Sequence, residues 1–405
     1  MKKSGFGLLI LLLFQLTVLK ISAQDEFELV ESVPLETILE QSDIPRTLDV
    51  WLKMINEAEE TIDIEMFYFA NEKGQPLEQV INALRNAAGR GVKIRIIVDS
   101  SFYANSNEKS IDELDSFQNI TVNKIPMGRI AGGVMHAKYF IVDNENLFIG
   151  SQNMDWRSLI HIHEIGARVK NKALAKTFEE VFATDWEYCG EIFSNQIYGN
   201  YANSSNTVTL NSSKFGNIII YPAFSPVKIN FPGMNSEEEE LLRIIKNTKD
   251  SLLIQMYSYS PKAKNEKNYY DTLDNALRDA ASRGIKVKII FSDWAIRDAA
   301  IDFIKNLSTV NNIQIKFSSI PQYSGGFIPF SRVDHSKYFI ADNFISWIST
   351  SNWEWGYFYN SRNATLIIEN EKINSELSEV FYRCWNGPYT NYVDINKKYE
   401  PVKRN

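Results

Sequence analysis

Four histidines occur in the 405 residues, and two of them open the same pattern. His136, Lys138 and Asp143 follow the spacing H-x-K-x-x-x-x-D, with Ser151 and Asn153 behind them. His335, Lys337 and Asp342 repeat that spacing, followed by Thr350 and Asn352. Together these residue types can perform a displacement at phosphorus. One imidazole attacks and forms a phosphohistidine. The other, protonated, donates to the leaving oxygen and then activates water. Lys138 and Lys337 supply positive charge to the non-bridging oxygens, and Ser151, Asn153, Thr350 and Asn352 supply hydrogen bonds that hold the group in line. This set neutralises a phosphoryl group by itself, so the expectation is a reaction with no metal and no cofactor.

Each pattern must sit on a strand, a turn and a second strand. Alternation puts His136, Lys138 and Phe140 on one face and Ala137, Tyr139 and Ile141 on the other. The repetition extends well beyond the motifs. TIDIEMFYFA from Thr61 is echoed by SLLIQMYSYS from Ser251, and ALRNAAGRGVKIRIIV from Ala83 by ALRDAASRGIKVKIIF from Ala276. Leu48, Trp51, Leu52, Ile55 and Ala58 recur at helical spacing, and Ile62–Phe69 reads as the strand that follows. Leu77 to Ala88 marks a second helix closed by Gly91, before a strand at Val92–Val98. In the second copy, Ser236 caps a helix whose first turn is Glu237–Glu240, four carboxylates that the helix macrodipole accounts for. A helix at Leu273–Ala281 and a strand at Ile285–Phe291 complete the correspondence. Helices alternating with strands imply an α/β fold whose sheets are covered on both faces. The Asn- and Ser-rich stretch Ser194–Asn217 reads as a linker. The expected units are residues 24–200 and 201–405, preceded by a leader at 1–23.

That leader has Lys2 and Lys3, an apolar run from Leu8 to Leu19 and a small-residue site at Ile21–Ala23, the pattern of a signal peptide. Its alternative is an uncleaved anchor, for which the run is short. The expected location after cleavage is secreted, periplasmic or lumenal. The formal charge is −7, and losing Lys2, Lys3 and Lys20 makes it more negative. An acidic chain binds long nucleic acid poorly, so any such substrate must be gripped locally. Cys189 and Cys384 are the only cysteines, and either a disulfide or two buried thiols fits them. Asn119, Asn203, Asn211, Asn306 and Asn363 each begin an N-x-S/T triplet.

The two motifs resemble those of the phospholipase D superfamily, which hydrolyses or transfers phosphodiesters. Glu31–Pro34 (ESVP), Gly150–Leu159 (GSQNMDWRSL), Ile328–Tyr338 (IPFSRVDHSKY), Ser349–Trp353 (STSNW) with Tyr357-Phe358, and Trp385–Tyr389 (WNGPY) are similar to the branch of phospholipase D family members 3 and 4. Those are lumenal 5′ exonucleases of single-stranded nucleic acid. Ser349 stands where that family usually has Gly. The resemblance implies a duplicated phospholipase D-like αβα sandwich. Its two mixed sheets pack about a pseudo-two-fold axis, as in a homodimer, and the two motifs meet in one site.

In that superfamily a glutamate on the strand after the motif orients the nucleophilic imidazole. Glu164 lies 28 residues after His136, and the position 28 after His335 is Asn363. The halves are therefore unequal. The expectation is His136 as nucleophile, oriented by Glu164, with His335 as acid and then base and Asn363 lining the site. Asp143 and Asp342 are expected to bond nearby backbone in a supporting role. His161 and His163 raise the thought of zinc but lack a third ligand at useful spacing. Phe327 is a candidate to stack on a terminal base. The expected partner is a single-stranded nucleic acid substrate, with no obligate protein partner and a homodimer left open. The alternatives are a phospholipase D or phosphatidyl transferase acting on phospholipid head groups, and a non-catalytic binding protein. The completeness of both motifs argues against the last.

Overall fold

Each copy of the repeat folds into a mixed sheet, and the strand order is the same in both. In the first sheet Glu26–Ser32, Ile162–Lys170, Asn146–Gly150, Lys138–Val142, Thr61–Met66, Lys93–Asp99 and Ile120–Ile125 lie side by side in that order. In the second, Gly216–Ser225, Asn363–Glu369, Ile345–Ser349, Lys337–Ala341, Ser251–Met256, Lys286–Ser292 and Ile313–Ser318 do so. In both, the motif hairpin pairs antiparallel with the central strand, which pairs parallel with the next. This computed structural model describes residues 25–40, 43–103, 108–191, 199, 201–262, 269–297 and 300–405. The expected leader lies outside the described residues, and among them no helix is long and apolar enough to cross a membrane.

Amphipathic periodicity decides which face each helix covers. Helices Thr47–Glu57 and Leu77–Gly89 pack Trp51, Met54, Val80 and Leu84 onto the outer face of the first sheet. Glu237–Asn247, Thr272–Ser282 and Ile301–Ser308 cover the second sheet in the same way. The inner faces share one core. Tyr139, Ile149 and Ile165 of the first sheet meet Tyr338, Ile348 and Leu366 of the second there, with Phe178 and Phe381 from helices Lys172–Cys189 and Glu371–Asn386. Each sheet is thus covered on both faces, and the layer between the sheets belongs to both copies.

Three readings of the sequence need correction. The stretch taken as a linker holds a strand, Val208–Ser212, which pairs with Gly216–Ser225 at the edge of the second sheet; its alternation buries Leu210 among polar neighbours. The strand expected to run to Phe69 stops at Met66. The chain bends at Phe67-Tyr68, and Phe69–Ala70 pairs instead with Met154–Asp155. The four glutamates do more than meet a helix dipole. Glu237 is fully buried and accepts from the hydroxyls of Ser349 at 2.5 Å and Ser351 at 2.7 Å. Glu238 accepts from Tyr270 and Tyr359, and Glu240 from Tyr221. This also accounts for Ser349. In the first copy a Cβ at Gly150 would come within 2.2 Å of Gln152 Oε1. In the second copy the shorter Ser351 occupies the place of Gln152, leaving room for a hydroxyl that Glu237 binds. Cys189 and Cys384 are free thiols.

A buried ion pair ties the copies together. Arg362, 2% exposed, donates to Asp185 Oδ1 at 2.8 Å from the opposite unit. Removing one partner leaves the other charge buried and uncompensated, at a cost of about 3–5 kcal/mol. Asp185→Ala is therefore expected to lower the unfolding free energy read from urea denaturation by that amount. A loss below about 1 kcal/mol would mean that water reaches Arg362 and the pair does not hold the units.

Candidate active site

The end of each motif strand is pinned by the opposite copy. His136 N–H donates to the Arg362 carbonyl at 2.8 Å, and His335 N–H to the His163 carbonyl at 2.8 Å. Val333–Asp334, just before the second motif, pairs in parallel with Ile162–His163 of the first sheet. The residues after Arg362 and His163 therefore face imidazoles of the other half. His136 Nδ1 lies 2.9 Å from Asn363 Oδ1, and His335 Nδ1 lies 2.5 Å from Glu164 Oε1. This corrects the expected pairing of Glu164 with His136. Both spacings of 28 residues lie within one copy, but the pseudo-two-fold packing sets the end of each strand against the other copy's motif.

The partners fix the tautomers. Ionised Glu164 can only accept, and in that state His335 carries its proton on Nδ1 and leaves Nε2 as a lone pair. Asn363 Nδ2 donates to the carbonyl of Tyr357 at 2.9 Å and to Ser225 Oγ at 3.2 Å, so its Oδ1 faces His136. His136 therefore also donates from Nδ1. The acceptors differ in charge. Glu164 carries one when ionised, and is held further by the hydroxyl of Ser158; Asn363 carries none.

Lys138 and Lys337 are fully buried and donate to the carbonyls of His136 at 2.7 Å and His335 at 2.8 Å. Burial pushes the Lys337 ammonium down to about 7, against the pull of Glu164 and Asp334. Burial and the charge of Lys337 lower Lys138 as well. Burial and the two ammonium charges hold both catalytic-position imidazoles well below their usual range, so both are neutral in the empty site. Burial raises Glu164, opposed by Ser158, Lys337 and Lys138. Two buried lysines whose charged forms are disfavoured, beside two neutral imidazoles, form a site short of negative charge, which a phosphodiester supplies.

The remaining residues fall into place around this centre. Thr350 Oγ1 donates to Asn363 Oδ1 at 3.0 Å, and Ser151 Oγ receives the Ile165 N–H at 3.3 Å. Asn153 and Asn352 are buried, and each leaves its Oδ1 without a partner among the described residues. Asp143 and Asp342 lie at the far ends of the strands. Asp143 accepts the N–H groups of Glu59, Glu60 and Thr61, and Asp342 those of Lys249, Asp250 and Ser251. They fasten the turn that feeds each central strand and touch neither imidazole. His163 is spent: its Nε2 lies 3.1 Å from Glu31 and its Nδ1 3.3 Å from Asp334, which push it up to about 10 against the effect of burial. His161 packs on Trp156 and Tyr323. Among the described residues, no group of three or more His, Cys, Asp or Glu side chains is placed to hold a metal ion.

Sequence reasoning missed the aromatic walls. His136 lies edge-on to Phe67 and Tyr357 at 4.9 and 4.8 Å, and His335 to Tyr257 at 4.6 Å. Phe67 and Tyr257 occupy equivalent places in the two copies, directly after Met66 and Met256 at the ends of matched strands, and that repetition was the available signal. Phe327, the candidate base-stacking ring, lies 45% exposed on the loop before the second motif, with Lys403 Nζ 4.8 Å from its centroid. Ser158, which fastens Glu164, was visible in the sequence only as part of GSQNMDWRSL, with no role attached to it.

The family model described as "Cardiolipin synthase, PLD-like domain" matches residues 51–186 and 241–385, one match per copy. The chain is 30% identical to "5'-3' exonuclease PLD3" of Xenopus tropicalis, over 91% of this chain and 81% of that protein. It is 29% identical to "Phospholipase D Z" of Dictyostelium discoideum, over 90% of each. Among solved structures, phosphatidylserine synthase of Haemophilus influenzae superposes with a TM-score of 0.63 at 11% identity, over 85% of each chain.

Proposed function

Since the chain belongs to the phospholipase D superfamily and is a phosphodiesterase, we propose that it is an exonuclease digesting single-stranded DNA or RNA from the 5′ end through a phosphohistidine on His335. The observation that carries the mechanism is the short contact between His335 Nδ1 and Glu164. The imidazolium character that develops as His335 Nε2 attacks phosphorus is stabilised by a carboxylate, whereas His136 has only a neutral amide. His136 Nε2, protonated with substrate bound, gives its proton to the 5′-oxygen of the next nucleotide as the P–O bond breaks. It then takes a proton from water as the water oxygen attacks phosphorus and the P–N bond breaks. The products are a 3′-mononucleotide and a strand with a new 5′-hydroxyl. Lys138, Lys337 and the amides of Asn153 and Asn352 hold the non-bridging oxygens. The roles of the two imidazoles are thus the reverse of those expected from spacing alone.

The direction rests on similarity to relatives named as 5′-3′ exonucleases, and physics favours it. A 5′-phosphate would bring up to about two extra negative charges into a small pocket of a net acidic protein. The leader at 1–23 supports work outside the cytoplasm. A ladder experiment tests the reading, with 5′-hydroxyl, 5′-phosphate and 3′-blocked single strands of one sequence in excess EDTA. The 5′-hydroxyl and 3′-blocked strands should shorten, and the 5′-phosphorylated strand should resist. Protection by the 3′ block, with normal cutting of the 5′-phosphorylated strand, reverses the direction. Cleavage of phosphatidyl lipids with none of the strands cut replaces the exonuclease by a phospholipase, and loss of activity in EDTA restored by zinc removes the metal-free mechanism.

A further inference from the structure

A path of aromatic rings leaves the site on the His335 side. Tyr257, edge-on to His335, lies 6.1 Å from Trp294, and Trp294 lies 6.5 Å from Phe330. Cations sit on these rings. The Arg404 guanidinium carbon is 4.9 Å from the Trp294 centroid, that of Arg157 is 6.0 Å from Phe330, and Lys403 Nζ is 4.8 Å from Phe327. The segment carrying Lys403 and Arg404 is folded onto the loop before the second motif. Phe330 N–H donates to the Arg404 carbonyl at 2.7 Å, Arg404 donates to the Trp294 carbonyl at 2.5 Å, and Val402 packs against Trp294, Ile162 and Val333.

Two features set this surface apart from ordinary solvated polarity. The first is strain. Phe330 and Arg332 both adopt left-handed backbone angles, φ +54°, which cost bulky residues about 1–2 kcal/mol each. Backbone and side-chain bonds to His161, Pro321 and Leu35 force Arg332 into this conformation. The result is an aromatic ring, Phe330, held 49% exposed five residues before His335. The second is charge. Arg157 and Arg297 are paired with Asp155 and Glu354. Lys403 and Arg404 have no carboxylate partner among the described residues, in a chain of net charge −7.

We propose that Phe330, Lys403 and Arg404, built on the buried ring of Trp294, form a second subsite, which binds the nucleotides flanking the scissile phosphate of a single-stranded polynucleotide. Rings offer stacking to any base, and cations beside them track the phosphate backbone. A lipid diester has one phosphate and no base, and so uses neither. The inference rests on the exonuclease reading and names what extends that site.

The test compares a decanucleotide carrying a 5′-hydroxyl with a nitrophenyl diester of a nucleoside 3′-phosphate, which occupies only the cleavage site. The double variant Lys403→Glu/Arg404→Gln and, separately, Phe330→Ala are expected to lower the ratio of kcat/KM, decanucleotide over nitrophenyl diester, about tenfold at low salt. The charge variant should also reduce the salt dependence of the decanucleotide KM by about one to two in log–log slope. Because the readout is a ratio within one protein, partial loss of folding cancels. An unchanged ratio and slope, with both substrates turned over, overturns the subsite. Cleavage of neither substrate by the unmodified protein overturns the exonuclease reading on which it rests.

Discussion

A His136→Ala protein given a radiolabelled nitrophenyl phosphodiester should accumulate label as phosphohistidine on His335, detected after an alkaline denaturing quench. Nitrophenolate leaves without a proton, so the missing acid is not needed for the first step. The second step stalls, because no base remains to activate water. With a nucleotide 5′-oxygen as leaving group the same protein should lose about 10³-fold or more in kcat. His335→Ala should give neither label nor turnover with either substrate. The double variant should be no worse than His335→Ala, since both imidazoles act in one cycle. Label on His136 in the His335→Ala protein would sink the assignment, and with it the argument from Glu164. Glu164→Gln supplies the complementary readout: it makes the two acceptors alike, and should slow formation of the intermediate more than its hydrolysis.

The second large effect pits stability against activity. Lys337 is fully buried and its ammonium is held down to about 7, against roughly 10.4 in an unfolded chain. Below about pH 7 both states carry the charge and the folded protein bears the whole cost of burying it. As pH rises from 7 towards 10.4 the folded state alone sheds the proton, so the penalty shrinks and stability rises. Lys337→Met should therefore abolish turnover while stabilising the fold by a few kcal/mol near pH 6, with a smaller gain at pH 9. Urea denaturation at the two pH values checks this. A variant less stable than the parent at pH 6 would mean that the hydrogen bond to the His335 carbonyl outweighs the burial of charge. The same titration gives kcat/KM an alkaline limb near 7, because the empty site loses a cation that receives the phosphate. Burial lowers Lys138 too, and the pair behaves as a charge hole kept for substrate. Such a site is costly to the fold and gains its stabilisation when a dianionic transition state fills it.

The sequence by itself determined what is local and what is repeated. Period-two alternation and helical spacing marked two helices in each copy and the strands beside them, with Ser236 capping its helix and accepting from the Glu239 N–H. Duplication repeated the order of elements along the chain, strand, helix, strand and motif, in both halves. The types and spacing of His136, Lys138, His335 and Lys337 named the chemistry, and a charge difference at positions 164 and 363 showed that the halves were unequal. Which imidazole gains the carboxylate was not in the sequence. That depends on whether a strand end meets its own motif or the other one, and only the packing of the two sheets decides it. The same holds for Phe67, Tyr257 and Tyr357, whose rings act through position, and for Glu237, which reads as a helix-terminal charge until Ser349 and Ser351 are seen on it. Local periodicity encodes which face is buried. It carries no record of what is buried against that face, because that contact is made across a pseudo-two-fold axis by residues far apart in the chain, 227 positions for His136 and Asn363.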